Sequence, residues 1–241
     1  MKKLLLMFAL VASGVTLSAQ KQIVWFDAGI RFQGGGSGIL NQTIIDQPDT
    51  DYEISYTNSY GIGGRLGINK SYSGLSLEAM FNSFEQTFET MSGAGEATVN
   101  WKSIDFYPLF RNAKNLGYFE IGPKISFLRE FSDNDGNDIK ENFSSTNIGA
   151  AVGFGAYVAG TDGAFSATLG LRFEYGFTNY ISGDAPEGYT PLGVSFSDDN
   201  GNVIEGSSAN PFFAGLVFEL NWGIGYFGVA QCGGRSKFMM F

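Results

Sequence analysis

Through most of the chain, apolar residues alternate one by one with small or polar ones. Val24, Phe26, Ala28, Ile30 and Phe32 share one parity; Trp25, Asp27, Gly29, Arg31 and Gln33 share the other. A period of two puts successive side chains on opposite faces of a strand, so the segment predicts a strand with one apolar face. The same pattern recurs seven times. The apolar parities are Tyr52, Ile54, Tyr56, Tyr60, Ile62, Leu66 and Ile68; then Leu75, Leu77, Ala79 and Phe81; then Ile104, Phe106, Pro108 and Phe110. Phe119 to Phe127, Ile148 to Val158, Phe165 to Phe177 and Phe212 to Tyr226 follow in steps of two. In the third strand the phase slips after Phe81, as a β-bulge would cause.

No charge falls on any of the eight apolar faces, and the opposite faces are small: Gly, Ser, Thr and Asn with a few charges. A charge facing lipid near the bilayer midplane costs about 2–4 kcal/mol, which selects for such exclusion. Small polar residues suit the tight interior of a narrow barrel. The pattern therefore predicts an all-β, eight-stranded antiparallel transmembrane barrel; the alternative is a soluble sandwich or lipocalin-like barrel. Connections alternate in length. Short turns are expected at 70–74, 112–117 and 159–163, and longer loops at 34–51, 90–97, 130–146 and 180–209. Outer-membrane barrels pair short periplasmic turns with longer extracellular loops, so an even strand count leaves both termini periplasmic. Tyr52, Tyr107, Tyr118, Tyr175, Trp222 and Tyr226 lie near strand ends, where they could form interfacial girdles.

Composition sharpens this. Met1-Lys2-Lys3, the apolar run 4–15 and Leu17-Ser18-Ala19-Gln20 have the layout of a secretory signal. The expected organisation is a signal peptide at 1–19, a barrel at 20–227 and a periplasmic tail at 228–241. The chain has 34 glycines and 15% aromatic residues, but only 16% charged residues, against about 25% in ordinary soluble domains. Beyond the leader, no apolar run reaches the length of about 18 residues that a membrane helix needs. The formal charge is −9; that argues against nucleic acid as a partner, because phosphate binding needs clustered Lys and Arg. There is no histidine, so neither a histidine-based catalytic dyad nor a histidine metal ligand is available. No enzyme activity, cofactor or metal is expected.

Ser103-Ile104-Asp105-Phe106-Tyr107-Pro108-Leu109-Phe110, followed after a short turn by Tyr118-Phe119-Glu120-Ile121-Gly122-Pro123-Lys124-Ile125, resembles the small outer-membrane β-barrel proteins of Bacteroidetes. Those often carry an "IPLL" strand and then a "Y-x-E-x-G-P" strand. This chain has Tyr107 where an isoleucine often precedes the proline, and its tail runs on past the last strand to Phe241. The family includes PorT-like accessory barrels of type IX secretion and many barrels of unassigned role. The resemblance implies an integral protein of the cell outer membrane, surrounded by lipid and lipopolysaccharide and open to other outer-membrane or periplasmic proteins. It implies no single task.

The inward charges expected are Asp27, Arg31, Glu53, Arg65, Glu78, Asp105, Arg111, Glu120, Lys124, Arg172, Glu174 and Glu219. They form either a plug of ion pairs or a polar pore. Eight strands enclose a space that side chains nearly fill, and buried charges must pair, so the plug is favoured. The first reading of function is then an accessory or structural subunit of an outer-membrane complex; the other is a narrow channel for ions or small solutes.

Two loops share a phrase, Phe131-Ser132-Asp133-Asn134-Asp135-Gly136-Asn137 and Phe196-Ser197-Asp198-Asp199-Asn200-Gly201-Asn202. Their oxygen-rich side chains suggest calcium, but Phe occupies the place where an EF-hand loop needs its first acid. Asp135-Gly136 and Asn200-Gly201 read better as the tips of extracellular hairpins. Pro108 and Pro123 are read as rim or bulge residues near the turn, with a weak seam as the other reading. Cys232 is the sole cysteine and has no partner within the chain.

Overall fold

A computed structural model describes residues 24–41, 52–70, 72–90, 96–114, 116–160, 165–193, 195, 203, 206–228 and 237–240. The strands are β1 (Val24–Asn41), β2 (Tyr52–Lys70), β3 (Ser73–Thr90), β4 (Glu96–Lys114), β5 (Gly117–Ser132), β6 (Thr146–Ala159), β7 (Phe165–Gly176), β8 (Ala209–Gly228) and the short β9 (Lys237–Met240). Each of β1 to β8 pairs antiparallel with the next, and β8 pairs with β1, so eight strands close into a barrel.

The closure is staggered. The rung from Trp25 passes through Asn69, Gly74, Arg111, Glu120, Gly153, Arg172 and Gly215, and returns to β1 at Gly35, ten residues along. With about 3.3 Å per residue and about 4.8 Å between strands, that stagger tilts the strands by about 40°.

Alternation sets the two faces. Ile30, Ile62, Leu66, Leu77, Phe81, Phe110, Ile121, Phe154, Leu171, Leu216 and Trp222 are exposed, while Arg31, Arg65, Glu78, Arg111, Glu120, Arg172 and Glu219 are buried. This inverts a soluble barrel, and an apolar exterior of this kind is a surface for lipid. On β8 the outward run from Phe212 to Trp222 rises about 25 Å at that tilt, the height of a barrel's apolar band.

Within the eight-stranded barrel the structure differs from the sequence expectations at four places. First, β1 runs on to Asn41, through part of the expected 34–51 loop. Second, β3 has no bulge after Phe81, because its rungs to β4 continue unbroken from Ser73 to Glu89. Phe84 and Phe88 are instead buried on the inward face. Third, Tyr107 and Tyr118 face inward and are buried, not part of a girdle, whereas Tyr175 and Trp222 do lie on the exterior. Tyr226 is also turned: a bulge at Ile224 sets it opposite Trp25, on the inward face. Fourth, Pro108 and Pro123 are not at the rim. Pro123 is the middle one of the outward residues from Phe119 to Phe127, and both prolines are exposed on the wall.

The end of β8 reaches beyond β7, whose first rung to it is Phe165–Trp222. Lys237–Met240 pairs with Gly225–Gly228 on that overhang, so part of the expected tail is a strand. Residues 1–19, Cys232, Asn200 and Gly201 lie outside the described residues.

Candidate functional site: the closed lumen

Period-two strands in a staggered ring bring distant inward residues to one level. Arg31 is at the hub. Its guanidinium donates to Glu78 at 2.8 Å, to Glu120 at 2.9 and 3.0 Å, and to Glu219 through Nε at 2.7 Å. Its Nη2 also contacts Glu219 closely. Arg172 donates to the same Glu78 at 2.8 Å and Glu120 at 2.6 Å. Arg111 donates to Glu219 at 2.7 Å and stacks over the Tyr118 ring at 4.0 Å. Arg31, Glu78, Arg172 and Glu219 are completely buried. Gly153 makes room, since a Cβ there would meet Glu120 Cγ at 2.9 Å.

Towards the turn end, Arg65 donates to Asp27 at 3.0 Å and to Asn221 at 3.1 Å, and Asn69 donates to the other Asp27 oxygen at 3.0 Å. Towards the loop end, Lys124 donates to Glu174 at 2.7 Å and lies 3.0 Å from Asp105. The Tyr107 hydroxyl lies 3.1 Å from both Asp105 and Glu174 and shares its one proton between them; Ser103, Ser126 and Asn82 also donate to Asp105. Eleven of the twelve expected lumen charges therefore fall into a stack of two ion-paired groups, eight around Arg31 and three around Lys124, joined by Tyr107, whose ring lies 4.9 Å from the Arg172 guanidinium. Glu53 lies on β2, but its side chain is outside the described part. The stack holds five cations (Arg31, Arg65, Arg111, Lys124, Arg172) against six carboxylates (Asp27, Glu78, Asp105, Glu120, Glu174, Glu219).

Above the ion pairs the inward face changes chemistry. Phe84 stacks on Trp101 at 5.1 Å, Trp101 on Phe131 at 5.9 Å, and Phe131 on Phe143 at 3.7 Å. Tyr180 and Tyr189 meet Phe143 edge-on, each at 6.0 Å. Ile39, Phe88, Val99, Leu128, Leu192 and Ala209 complete this buried cluster. It caps the loop end of the lumen. The cap was missed in the sequence because Phe84, Phe88, Val99, Trp101 and Leu128 sit on the parity that carries charge lower down, and Phe131 is turned inward only by a bulge at Arg129. The signal was there: the phase change after Phe81 marks where the apolar face turns inward. Between stack and cap, Lys124, Ser126, Asn147 and Tyr180 border a small cavity of about 20 Å³, about enough for one water.

The loop phrase at 131–137 is a turn. Asp133 Oδ1 accepts from the Asp135 and Asn137 amides at 3.0 and 2.8 Å, and Oδ2 accepts from the Asn137 side chain at 3.0 Å. These bonds, that of the Asn137 side chain foremost, hold the Asp133 carboxyl below the usual aspartate range. Asp135 and Gly136 are exposed at the tip, with Gly136 at φ 80°, a backbone conformation that favours glycine. Asp133 spends its oxygens on the turn, which leaves little for a cation. Among the described residues no group of three or more Asp, Glu, His or Cys is placed to hold a metal.

No family model matches the chain, and no curated protein matches it. Among solved structures, it is similar to the crystal structure of the outer membrane protein OprG from Pseudomonas aeruginosa. The identity is 11%, the match covers 84% of this chain and 95% of that one, and the TM-score is 0.32.

Proposed function

We propose that this protein is an integral outer-membrane barrel, with its long loops outside the cell and both termini periplasmic, that acts as a non-enzymatic structural or accessory subunit of an outer-membrane complex. The observation that carries this reading is the double closure of the lumen, by the ion-pair stack around Arg31 and by the aromatic cap around Trp101. A barrel sealed twice offers its outer wall and loops rather than a pathway. The resemblance of the two proline strands to Bacteroidetes barrels supports secretion or assembly machinery as the setting. The absence of histidine and the commitment of the lumen carboxylates to cations support a non-enzymatic role. Its surroundings would be outer-membrane lipid and lipopolysaccharide, with other outer-membrane or periplasmic proteins as partners.

A narrow channel is the second reading. Arg65 Nε, Arg111 Nη2, Ser76 Oγ and Thr168 Oγ1 are buried without a hydrogen-bond partner in the protein. Polar atoms of this kind call for water, and water there would wet the lumen beside the central charges. Planar-bilayer recording and gentle extraction from native membranes separate the two. The subunit reading expects no unitary conductance and a larger particle with a second chain at fixed ratio. Steady conductance from a lone barrel would overturn it in favour of the channel.

A further inference from the structure

Among the described residues, one ladder loses rungs mid-strand without any shift of register. The β4–β5 rungs run up to Phe106–Ile125 and resume at Phe110–Ile121 with the register unchanged. Carried through, that register sets Pro108 directly opposite Pro123. In an antiparallel ladder, alternate pairs exchange both N–H···O bonds, and a gap three rungs long centred on this pair arises when the pair should exchange both but has no N–H to give. The ladders to β3 and β6 pass through the same residues unbroken, at Leu77–Pro108 and Pro123–Ala150. The two prolines therefore delete hydrogen bonds from one seam alone. They do so in the middle of the apolar band, where backbone carbonyls have no water to turn to.

Side chains bridge the seam from inside. Lys124 of β5 lies 3.0 Å from Asp105 of β4, and Ser126 of β5 donates to the same carboxylate at 2.6 Å. Closer to the turn, Arg111 of β4 covers Tyr118 of β5. Behind the prolines lies an apolar bed of Met80, Tyr107, Leu109 and Ala151, set into an otherwise charged lumen. A side-chain clasp breaks more readily than a ladder because it depends on single groups.

We propose that the β4–β5 seam is the line along which the barrel wall opens sideways towards the bilayer, held shut from the lumen by the Lys124–Asp105 clasp. Opening exposes the apolar bed to the hydrocarbon, so it admits apolar matter rather than ions. The device does not depend on whether the protein works alone or in a complex.

The test uses the full chain in detergent micelles, with Cys232→Ser as background and Leu109→Cys as the probe; Leu109 is completely buried beside Pro108. The reagent is N-ethylmaleimide, and the labelling rate is read by mass. Lys124→Met should raise the rate about tenfold or more, since labelling of a buried group follows local opening. Adding Pro108→Ala with Pro123→Ala restores the two missing donors and should return the rate close to that of the parent. Resistance of the folded band to SDS before heating checks that each variant is folded. If Lys124→Met does not fold, Asp105→Asn takes its place in the same comparison. A rate unchanged when the clasp is cut, or one equally raised with the donors restored, overturns the proposal.

Discussion

The lumen is closed in two ways that share one face of the same strands. At mid-height the inward residues are charged, as with Glu78 on β3, Asp105 on β4 and Arg172 on β7. Near the loop end of β3 and β4 the inward residues are Phe84, Phe88, Val99 and Trp101. The outward face changes the opposite way. It carries Leu77 and Phe81 at mid-height, then Ser83 and Glu85 further along β3; on β4 it passes from Ile104 to Lys102, which pairs with Glu130 in solvent. Polarity thus inverts across the wall as the strand leaves the bilayer. In hydrocarbon the exterior must be apolar and the enclosed side can hold charge; in water the same barrel behaves like a soluble one, polar outside and apolar within. The inversion marks the membrane surface on the sequence.

The largest effect should come from the charged closure. Arg31→Met removes the cation that Glu78, Glu120 and Glu219 share, and leaves Glu78 and Glu120 to Arg172 and Glu219 to Arg111. Breaking a buried pair costs about 3–5 kcal/mol, and losing a shared cation from a cluster that keeps all its carboxylates places this change in that range. We expect the variant to lose most of its resistance to urea in detergent, or to fail to reach the membrane. A midpoint within experimental error of the parent would mean that the stack is a passenger and the cap alone closes the barrel.

The boundary between the two regions is tested on one face of one strand. Leu77 and Ser83 both point outward on β3, six residues apart. Leu77→Arg puts a charge in the middle of the apolar band and should cost about 2–4 kcal/mol. Ser83→Arg lies above the inversion and should stay within about 0.5 kcal/mol of the parent, as ordinary surface changes do. Equal losses would move the membrane surface upward and place the cap inside the bilayer.

Most of the barrel was legible because one cost enforces it. Charges are excluded from lipid, so Arg31, Glu78, Glu120, Arg172 and Glu219 could be assigned inward by parity alone. Their pairing could not be read. Arg31 meets Glu219 across 188 positions of sequence, and only the ten-residue stagger and the closure of β8 on β1 bring them to one level. Phe84 and Trp101 misled for a different reason. The phase slip after Phe81 was read as a bulge, whereas the rungs run on unbroken and the apolar side turns inward there. The prolines were assigned to the rim from their distance to a turn, but height in a tilted barrel also depends on the stagger.

The smallest effect belongs to the tip of the β5 loop, and it tests how far the cap depends on its loop. The Asp133 turn folds the chain back so that Ile139 donates to the Phe131 carbonyl at 3.0 Å, and Ile139 and Phe143 join the cap. Asp133→Ala removes three acceptor contacts from an exposed turn. Because the Asp133 carboxyl is held below its ordinary range, its contribution is complete above the unfolded aspartate value, about 3.9. It fades as pH falls from there through the lower folded value. Acidification through that window should therefore mimic the mutation at the tip. Hydrogen exchange should quicken at 133–139 in both cases while the amides around Arg31 and Glu78 keep their protection, because the stack draws no residue from this loop. Faster exchange that spreads from 133–139 through Phe131 to the Arg31 level would show that the two closures form one cooperative unit rather than two.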